Sequence, residues 1–554
     1  MFDPRRISER IPRRVVIVVV ATLLFGWVFL YRFNTLGGSF GGFDNDHFVY
    51  FALAKQVQAG EQPLRDFIDG MHGAWPSLTY ELSAAAQRVF GNNLRSEAWL
   101  TVSGVALGAA LAFAAGSGIA PWQWALITAL LSALMSPKLY GYPKVLVTAV
   151  AALLIITYAR RPGWGRLVAM SVWTAIAFLF RHDYAVYCGS GFLAVIALAT
   201  ARSHWRDGLT RSVAYGLIAA VLLAPSMWWI QRYQGITEYF GTGLQMSSTE
   251  YERTRIGWPV IALDEGRSPF AMFENDENAE TWIYYVFVGI PLITIGTTVW
   301  RLRTGADGQS RAAALLALSL MTLVLWYAFL RGNLAARFGD MGPPVAVLGA
   351  WLMYVSTSGR PWPRTLLPGA AAIAVLTVTL VCTWQLGSVI RELGTARLLE
   401  PRDVFDRTKR TSQELAGMPR SLREAEAADR MQAADYLHRC TRPTDRVMVV
   451  GYRADVPAMA ERLFAGSRLI FMVGYYHDER YMRQTVATLA SQSVPIVLSG
   501  NEVSYREFRL LGEYIRDRYD EVGIVSSPDG PLRVFVRRGL GGTMSGPNGL
   551  PCFG

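Results

Sequence analysis

Between Gly41 and Gly91 the sequence reads GGFDNDHFVYFALAKQVQAGEQPLRDFIDGMHGAWPSLTYELSAAAQRVFG, a stretch that crowds carboxylates and two histidines together. Asp44 and Asp46 flank Asn45, His47 follows, and Arg65, Asp66, Asp69 and His72 come within 28 residues of Asp44. A carboxylate so placed can take the proton of an attacking hydroxyl. Asp44, Asp46 and His47 could instead hold a divalent cation, Mg or Mn by the hardness of the oxygen ligands. The plainer reading is that Asp44 or Asn45 caps a helix.

These residues need elements to hold them. Val49, Leu53 and Val57 recur at i, i+4 and i+8, which predicts an amphipathic helix opened by acids and closed by Gly60. It would lie on a membrane surface. A second short helix is expected from Pro76 to Phe90, with Gly91 as its stop. An irregular loop carrying Arg65, Asp66 and His72 lies between the two.

The chain has 554 residues, of which 52% are hydrophobic, and a formal charge of +11. Apolar runs concentrate between Val15 and Leu386, as in a polytopic membrane protein, and the remainder reads as a soluble domain. Eleven spans are expected: Val15 to Tyr31, Ala98 to Ala115, Trp122 to Leu134, Val145 to Tyr158, Leu167 to Phe180, Ala185 to Thr200, Ser212 to Ile230, Trp282 to Trp300, Ala312 to Leu330, Pro343 to Tyr354 and Leu366 to Leu386. With the amino terminus cytoplasmic, every second loop holds arginines: Arg160, Arg161 and Arg166; Arg202, Arg206 and Arg211; Arg301, Arg303 and Arg311; Arg360 and Arg364. Only the loop at Gly116 to Pro121 is silent. The basic balance thus reads as topology and not as nucleic-acid binding.

An odd span count puts both the first loop and everything beyond Leu386 outside the cell. The outward loops, Phe33 to Glu97 and Gln231 to Thr281 being the longest, keep cations close to the membrane: Lys138 and Lys144 in SPKLYGYPK with Tyr142 between them, Arg181 in FRHDY, and Arg331 and Arg337 in LRGNLAARFGD. Each alone could snorkel to lipid headgroups; together they could form a phosphate pocket. Arg181 and Asp183 could equally neutralise each other at a helix end. The polar stretch 231–281 reads as a flexible cover over a site or as a disordered connector.

The soluble part divides into a linker at 391–424, an α/β domain at 425–538 and a Gly-rich, disordered tail at 539–554, after a membrane module at 1–390. Strands are expected at RVMVVG, RLIFMVGYY and VPIVLSG, with a hairpin over EVGIVSSPDGPLRVFVRR and helices between, one of them DVPAMAERLFAG. Strand and helix alternation argues for a largely parallel sheet. No G-x-G-x-x-G follows the first strand, which disfavours a dinucleotide fold. Of the four cysteines, Cys188 and Cys382 fall in apolar runs, so only Cys440 and Cys552 could meet in one compartment, and the sequence leaves open whether they pair.

The first span, the acids at the head of the outward loop, a Tyr- and Ala-bearing helix ending in Gly60, the Arg65-Asp66-Phe67 step, His72, Pro76 and the helix ending Phe90-Gly91 resemble the GT-C superfamily of membrane glycosyltransferases, in its protein O-mannosyltransferase-like and aminoarabinose-transferase-like members. FLFRHDYAVY and the tail stretch TRPTDRVMVVGYRADVPAMAERLFAG extend the likeness. The resemblance implies an α-helical polytopic GT-C-like protein with an extracytoplasmic α/β domain, in a bacterial-type inner or plasma membrane. It implies a sugar donor on polyprenyl phosphate, an extracytoplasmic glycan, lipid or protein acceptor, and inversion at the anomeric carbon. It makes Asp44 the first candidate base and Asp46 the second. His47, Arg65, Asp66, His72 and Tyr142 are then substrate-pocket candidates, and Lys138, Lys144, Arg181, Arg331 and Arg337 candidates for the leaving phosphate. The competing readings are a lipid or glycan transporter or flippase, whose expected internal repeat is not seen, and a non-catalytic envelope-assembly protein.

Overall fold

The structure, a computed structural model, describes residues 12–36, 43, 45–68, 78–135, 144–200, 205–254, 258–261, 276–327, 335–358, 401–419, 428–476, 478–527, 530–543, 546 and 549–553. Two compact units divide it: Met1–Thr35, Thr101–Ala224 and Glu250–Arg407 form the first, and Leu36–Leu100, Pro225–Thr249 and Thr408–Gly554 the second.

The first unit is helical. It is built from α1 (Arg13–Leu36), most of α4 (Leu94–Ile119), α5 (Trp122–Leu134), α6 (Lys144–Arg160), α7 (Trp164–Phe180), α8 (His182–Thr200), most of α9 (Trp205–Tyr233), α11 (Asp276–Arg303), α12 (Gln309–Tyr327) and α13 (Ala335–Thr357). These ten helices overlap the first ten expected spans; the eleventh, Leu366 to Leu386, lies outside the described residues. Six among the described helices are long and apolar enough to cross a membrane. Small residues let the helices close up: a Cβ on Gly108 would come 2.7 Å from Val145 Cγ1, and one on Gly191 2.8 Å from Ile155 Cδ1.

Within this unit several helix ends that flank the arginine-bearing loops meet one another. Arg13 donates to the carbonyls of Ser117 (2.8 Å) and Ala120 (3.3 Å), covering the loop that carries no cation of its own. Ser310 donates to Ala159 (2.6 Å) and Gln309 to Leu198 (3.3 Å), so the start of α12 joins the ends of α6 and α8. Arg301 and Arg311 share the buried Asp307 at 2.6 and 3.0 Å.

The second unit gathers α2 (Asn45–Gln58), α3 (Leu78–Phe90), the first residues of α4, most of α10 (Ile236–Thr254), α15 (Ala428–Cys440) and a five-stranded sheet, together with most of α14 (Pro401–Gly417). The strands are β1 (Arg446–Val450), β2 (Leu463–Phe464), β3 (Ile496–Ser499), β4 (Tyr519–Val525) and β5 (Leu532–Arg537), in the order β2-β1-β3-β5-β4. β1 pairs in parallel with β2 and β3, and the β4–β5 hairpin closes the sheet antiparallel to β3. Helices α16 (Asp455–Ala460), α17 (Glu479–Ser491) and α18 (Arg509–Arg518) connect them. Met448, Val450 and Val497 pack with Met482, Leu489, Leu511 and Ile515 from α17 and α18.

Several expectations change. The helix expected through Gly466 stops at Ala460, because Glu461 turns left-handed (φ +55°) and the chain enters β2. RLIFMVGYY is no strand: Arg468 is 2% exposed, donates to the Tyr476 carbonyl and stacks on Phe471, Tyr476 and Tyr481, so the segment wraps around its own guanidinium. The stretch 231–281, read as a cover or connector, contains α10, whose Tyr239 packs on Met227, Ile230 and Leu64 and whose Met246 packs on Tyr475 and Tyr476. The Gly-rich end, expected to be disordered, is fastened by the Cys440–Cys552 disulfide, a Thr543–Cys552 bridge and the Tyr436 hydroxyl on the Pro551 carbonyl.

Candidate functional site

The first loop folds as two helices, close to the expected bounds, with Gly60 (φ +89°) and Gly91 (φ +99°) ending them in conformations an L side chain resists. Its character differs from the expectation. From His47 to Val57 every residue of α2 is buried, Lys55 and Gln56 included, so α2 is not a helix resting half-exposed on a surface. Buried polar groups need partners, and the partners of Lys55 and Gln56 come from the C-terminal sheet domain. Lys55 Nζ donates to the Ala458 carbonyl at 3.0 Å and sits 4.5 Å from the Phe51 ring centre. Gln56 Nε2 donates to the Phe464 carbonyl at 3.2 Å. Arg446 reaches back from β1 to the Gln56 Oε1 at 3.3 Å, the Phe464 carbonyl at 3.0 Å and the Glu61 carboxylate.

The other flank of α2 rests on α3 and the head of α4. Glu97, wholly buried in the first turn of α4, accepts hydrogen bonds from Ser83 and from Gln87 (3.1 Å). Gln87 also donates to the Phe51 carbonyl at 3.4 Å and accepts from Gln58 at 2.9 Å. Glu97 is within electrostatic reach of His47. His47 itself is 3% exposed and meets the Phe43 ring edge to face at 5.2 Å.

Beyond Gly60, Arg65 and Asp66 form a forked ion pair, Nη2 to Oδ2 at 2.6 Å and Nε to Oδ1 at 3.0 Å, with Arg65 also donating to the Gly60 carbonyl. Partial burial favours the neutral acid, yet hydrogen bonds from Arg65 and from the Gln62 amide (2.8 Å) outweigh it and hold Asp66 below the usual carboxylate range. This pair closes a turn, and Phe67 continues it by meeting Phe464 edge to face at 6.0 Å.

In the helical unit, Lys144 Nζ lies 3.4 Å from the Asp340 carboxylate, both side chains almost without exposure, tying α6 to α13. Thr148 adds a 3.1 Å hydrogen bond to the Asp340 carbonyl. Arg181 pairs with Asp183 at 2.8 Å, the self-neutralising option of the two open for that motif, and Tyr187 donates to the same carboxylate at 3.3 Å.

Of the remaining expected site residues, Asp46 and Arg337 are described through their backbone, in the first turns of α2 and α13. Asp44, His72, Lys138, Tyr142 and Arg331 lie outside the described residues. Two of the three candidate metal ligands therefore have no described side chain, and among the described residues no three His, Cys, Asp or Glu side chains converge. Sequence reasoning missed Lys55, Gln56, Glu61, Glu97 and Arg446. Two signals were present: a Lys-Gln step inside an apolar helix, and an acid one turn into a long apolar span.

Six long apolar helices among the described residues, a folded first loop and a C-terminal α/β domain assign the chain a largely helical fold that it shares with solved proteins. The solved structure that carries this assignment is ArnT from Cupriavidus metallidurans bound to undecaprenyl phosphate: TM-score 0.53 and 14% identity, over 95% of this chain and 98% of that one. The same protein in its apo state gives 0.47, 13%, 94% and 97% in turn, and the archaeal oligosaccharyltransferase AglB from Archaeoglobus fulgidus, in complex with an inhibitory peptide and a dolichol-phosphate, gives 0.43, 11%, 94% and 74%. No protein-family model matches the sequence, and no curated protein matches it.

Proposed function

We propose that this protein is a membrane glycosyltransferase that moves a sugar from a polyprenyl-phosphate donor to an extracytoplasmic glycan, lipid or protein acceptor. The observation that carries the reading is the shared fold with ArnT over almost the whole of both chains, that neighbour being bound to undecaprenyl phosphate. Asp44, or Asp46 in the first turn of α2, takes the acceptor hydroxyl proton as the oxygen attacks the anomeric carbon, and the lipid phosphate leaves as an anion. Cations among Lys138, Lys144, Arg181, Arg331 and Arg337 stabilise that charge. With no covalent intermediate, the anomeric configuration inverts. A divalent cation at Asp44, Asp46 and His47 would add a Lewis acid beside the phosphate.

The amino terminus is cytoplasmic and the α/β domain faces outward. Two features support this: the arginine-bearing ends of α1, α11 and α12, and the Cys440–Cys552 disulfide, a bond that persists in oxidising compartments.

The test is transfer in proteoliposomes from undecaprenyl-phosphate-linked hexose and aminopentose donors to an envelope extract. Asp44→Asn or Asp46→Asn should lower turnover ~10²–10⁴-fold, as loss of a general base does. Full turnover in the folded double variant would end the proposed mechanism.

A further inference from the structure

Building on the transferase reading, we infer that Lys55 and Arg446 are positioning residues through which the C-terminal sheet sets the place of α2, making the α/β domain part of the transfer machinery. A docking domain for an acceptor would need only a tether to the membrane half. Instead α2 is held by charged groups reaching in both directions: Lys55 from the helix to the Ala458 carbonyl of α16, and Arg446 from β1 to Gln56 and Glu61. The chain that follows α2 stays on the C-terminal domain, Ile68 N donating to the carbonyl of Ser467, just past β2, at 3.0 Å.

The physical case lies in what each group demands. Lys55 is 7% exposed, and a buried ammonium is tolerated only where oxygens and ring faces receive it, which fixes the helix about its axis. Arg446 uses its planar fork to hold three acceptors at once, which fixes the helix along its axis. Asp46 lies about two and a half helical turns before Lys55. A rigid helix transmits any slip at its far end to its first turn, and a misplacement of about 1 Å at a reacting group costs on the order of 10²-fold in rate.

The experiment uses the full-length protein in proteoliposomes, with Lys55→Met, Arg446→Gln and the conservative Arg446→Lys, which keeps the charge toward Glu61 and loses the fork. Three quantities are read: amide hydrogen exchange along the chain, binding of undecaprenyl phosphate, and the kinetics of transfer. In Lys55→Met and Arg446→Gln the α2 amides should exchange at least about tenfold faster while those of the β4–β5 hairpin stay unchanged. Lipid-phosphate binding should hold within about twofold and turnover should fall at least about tenfold at near-constant donor KM, with Arg446→Lys recovering part of the loss. Unchanged α2 exchange, or a loss of protection spread over the whole sheet, would overturn the inference. So would unaltered turnover in variants whose α2 has loosened. If the wild-type protein transfers sugar from no donor, the transferase reading fails by itself, and the exchange profile still decides whether the sheet holds α2.

Discussion

Arg446, the first residue of β1, forms an ion pair with Glu61, three residues past the end of α2, across a sequence separation of 385 residues. Both side chains are about one-fifth exposed, so the pair is neither fully screened nor fully desolvated. Hydrogen bonds to charged groups contribute roughly 1.5–3 kcal/mol, and surface ion pairs below about 1. A double-mutant cycle with Glu61→Gln and Arg446→Gln should therefore return a coupling of about 1–2 kcal/mol in unfolding free energy. A coupling near zero would mean that the geometry is incidental.

The disulfide closes a loop of 112 residues, and cross-links of that reach stabilise by about 4–5 kcal/mol in the chain-entropy account. Cys552→Ser should lower the melting temperature of the α/β domain and free the Gly-rich end to protease. The Cys440 thiol should resist alkylation in the native protein until a reductant is added. Ready alkylation without one would remove both the bond and the support it gives to an outward domain.

Two acids should report pH with opposite sign. Asp66, held below the ordinary carboxylate range, contributes stability above its unfolded pKa that is lost as pH falls through the folded value. Asp455 is the reverse: burial raises it, with Arg453 only partly compensating, so its ionisation costs stability at neutral pH and the cost fades as pH falls through its raised value. In thermal melts Asp66→Asn should destabilise at pH 7, and Asp455→Asn should stabilise. The Asp455 difference should shrink as pH falls toward about 4 and the Asp66 difference only below that, and the same sign for both at pH 7 would refute the assignment.

The helices of the first unit were readable from the chain because apolar run length is a local signal that the bilayer itself imposes. The ends of α2 and α3 were readable for a similar reason, since Gly60 and Gly91 mark them locally. What α2 packs against was not. Lys55 and Gln56 look like a solvated face until their acceptors arrive from residues some four hundred positions later. RLIFMVGYY has the composition of a strand, and only the burial of Arg468 among three rings turns it into a loop. β2, two residues long, offers no periodicity to detect. Helix α10 is hidden by Gly241 and Gly243 and by its Ser and Thr, and it forms because Tyr239 and Met246 find apolar partners.

The proposed topology rests on the arginine alternation. A cysteine at Ser504, exposed in the α/β domain, should react with an impermeant maleimide added outside intact cells. One at Thr304, exposed between α11 and α12, should react only after permeabilisation. The opposite pattern would place the arginine-rich ends outside and exclude the proposed side for the chemistry.

Lys144 separates a structural ion pair from a phosphate ligand. It is buried against Asp340 at 3.4 Å, and removing one partner of such a pair leaves an uncompensated charge, worth about 3–5 kcal/mol. Lys144→Met should thus destabilise strongly, and adding Asp340→Leu should recover most of the loss, since apolar replacement of a whole buried pair is close to neutral. The folded double variant then isolates the second role. If Lys144 helps to receive the lipid phosphate, undecaprenyl phosphate binding should weaken about tenfold or more with stability restored, the scale of a lost charge-assisted contact. Wild-type binding in that variant would confine Lys144 to joining α6 and α13, leaving the phosphate to Arg181 and the other outward cations.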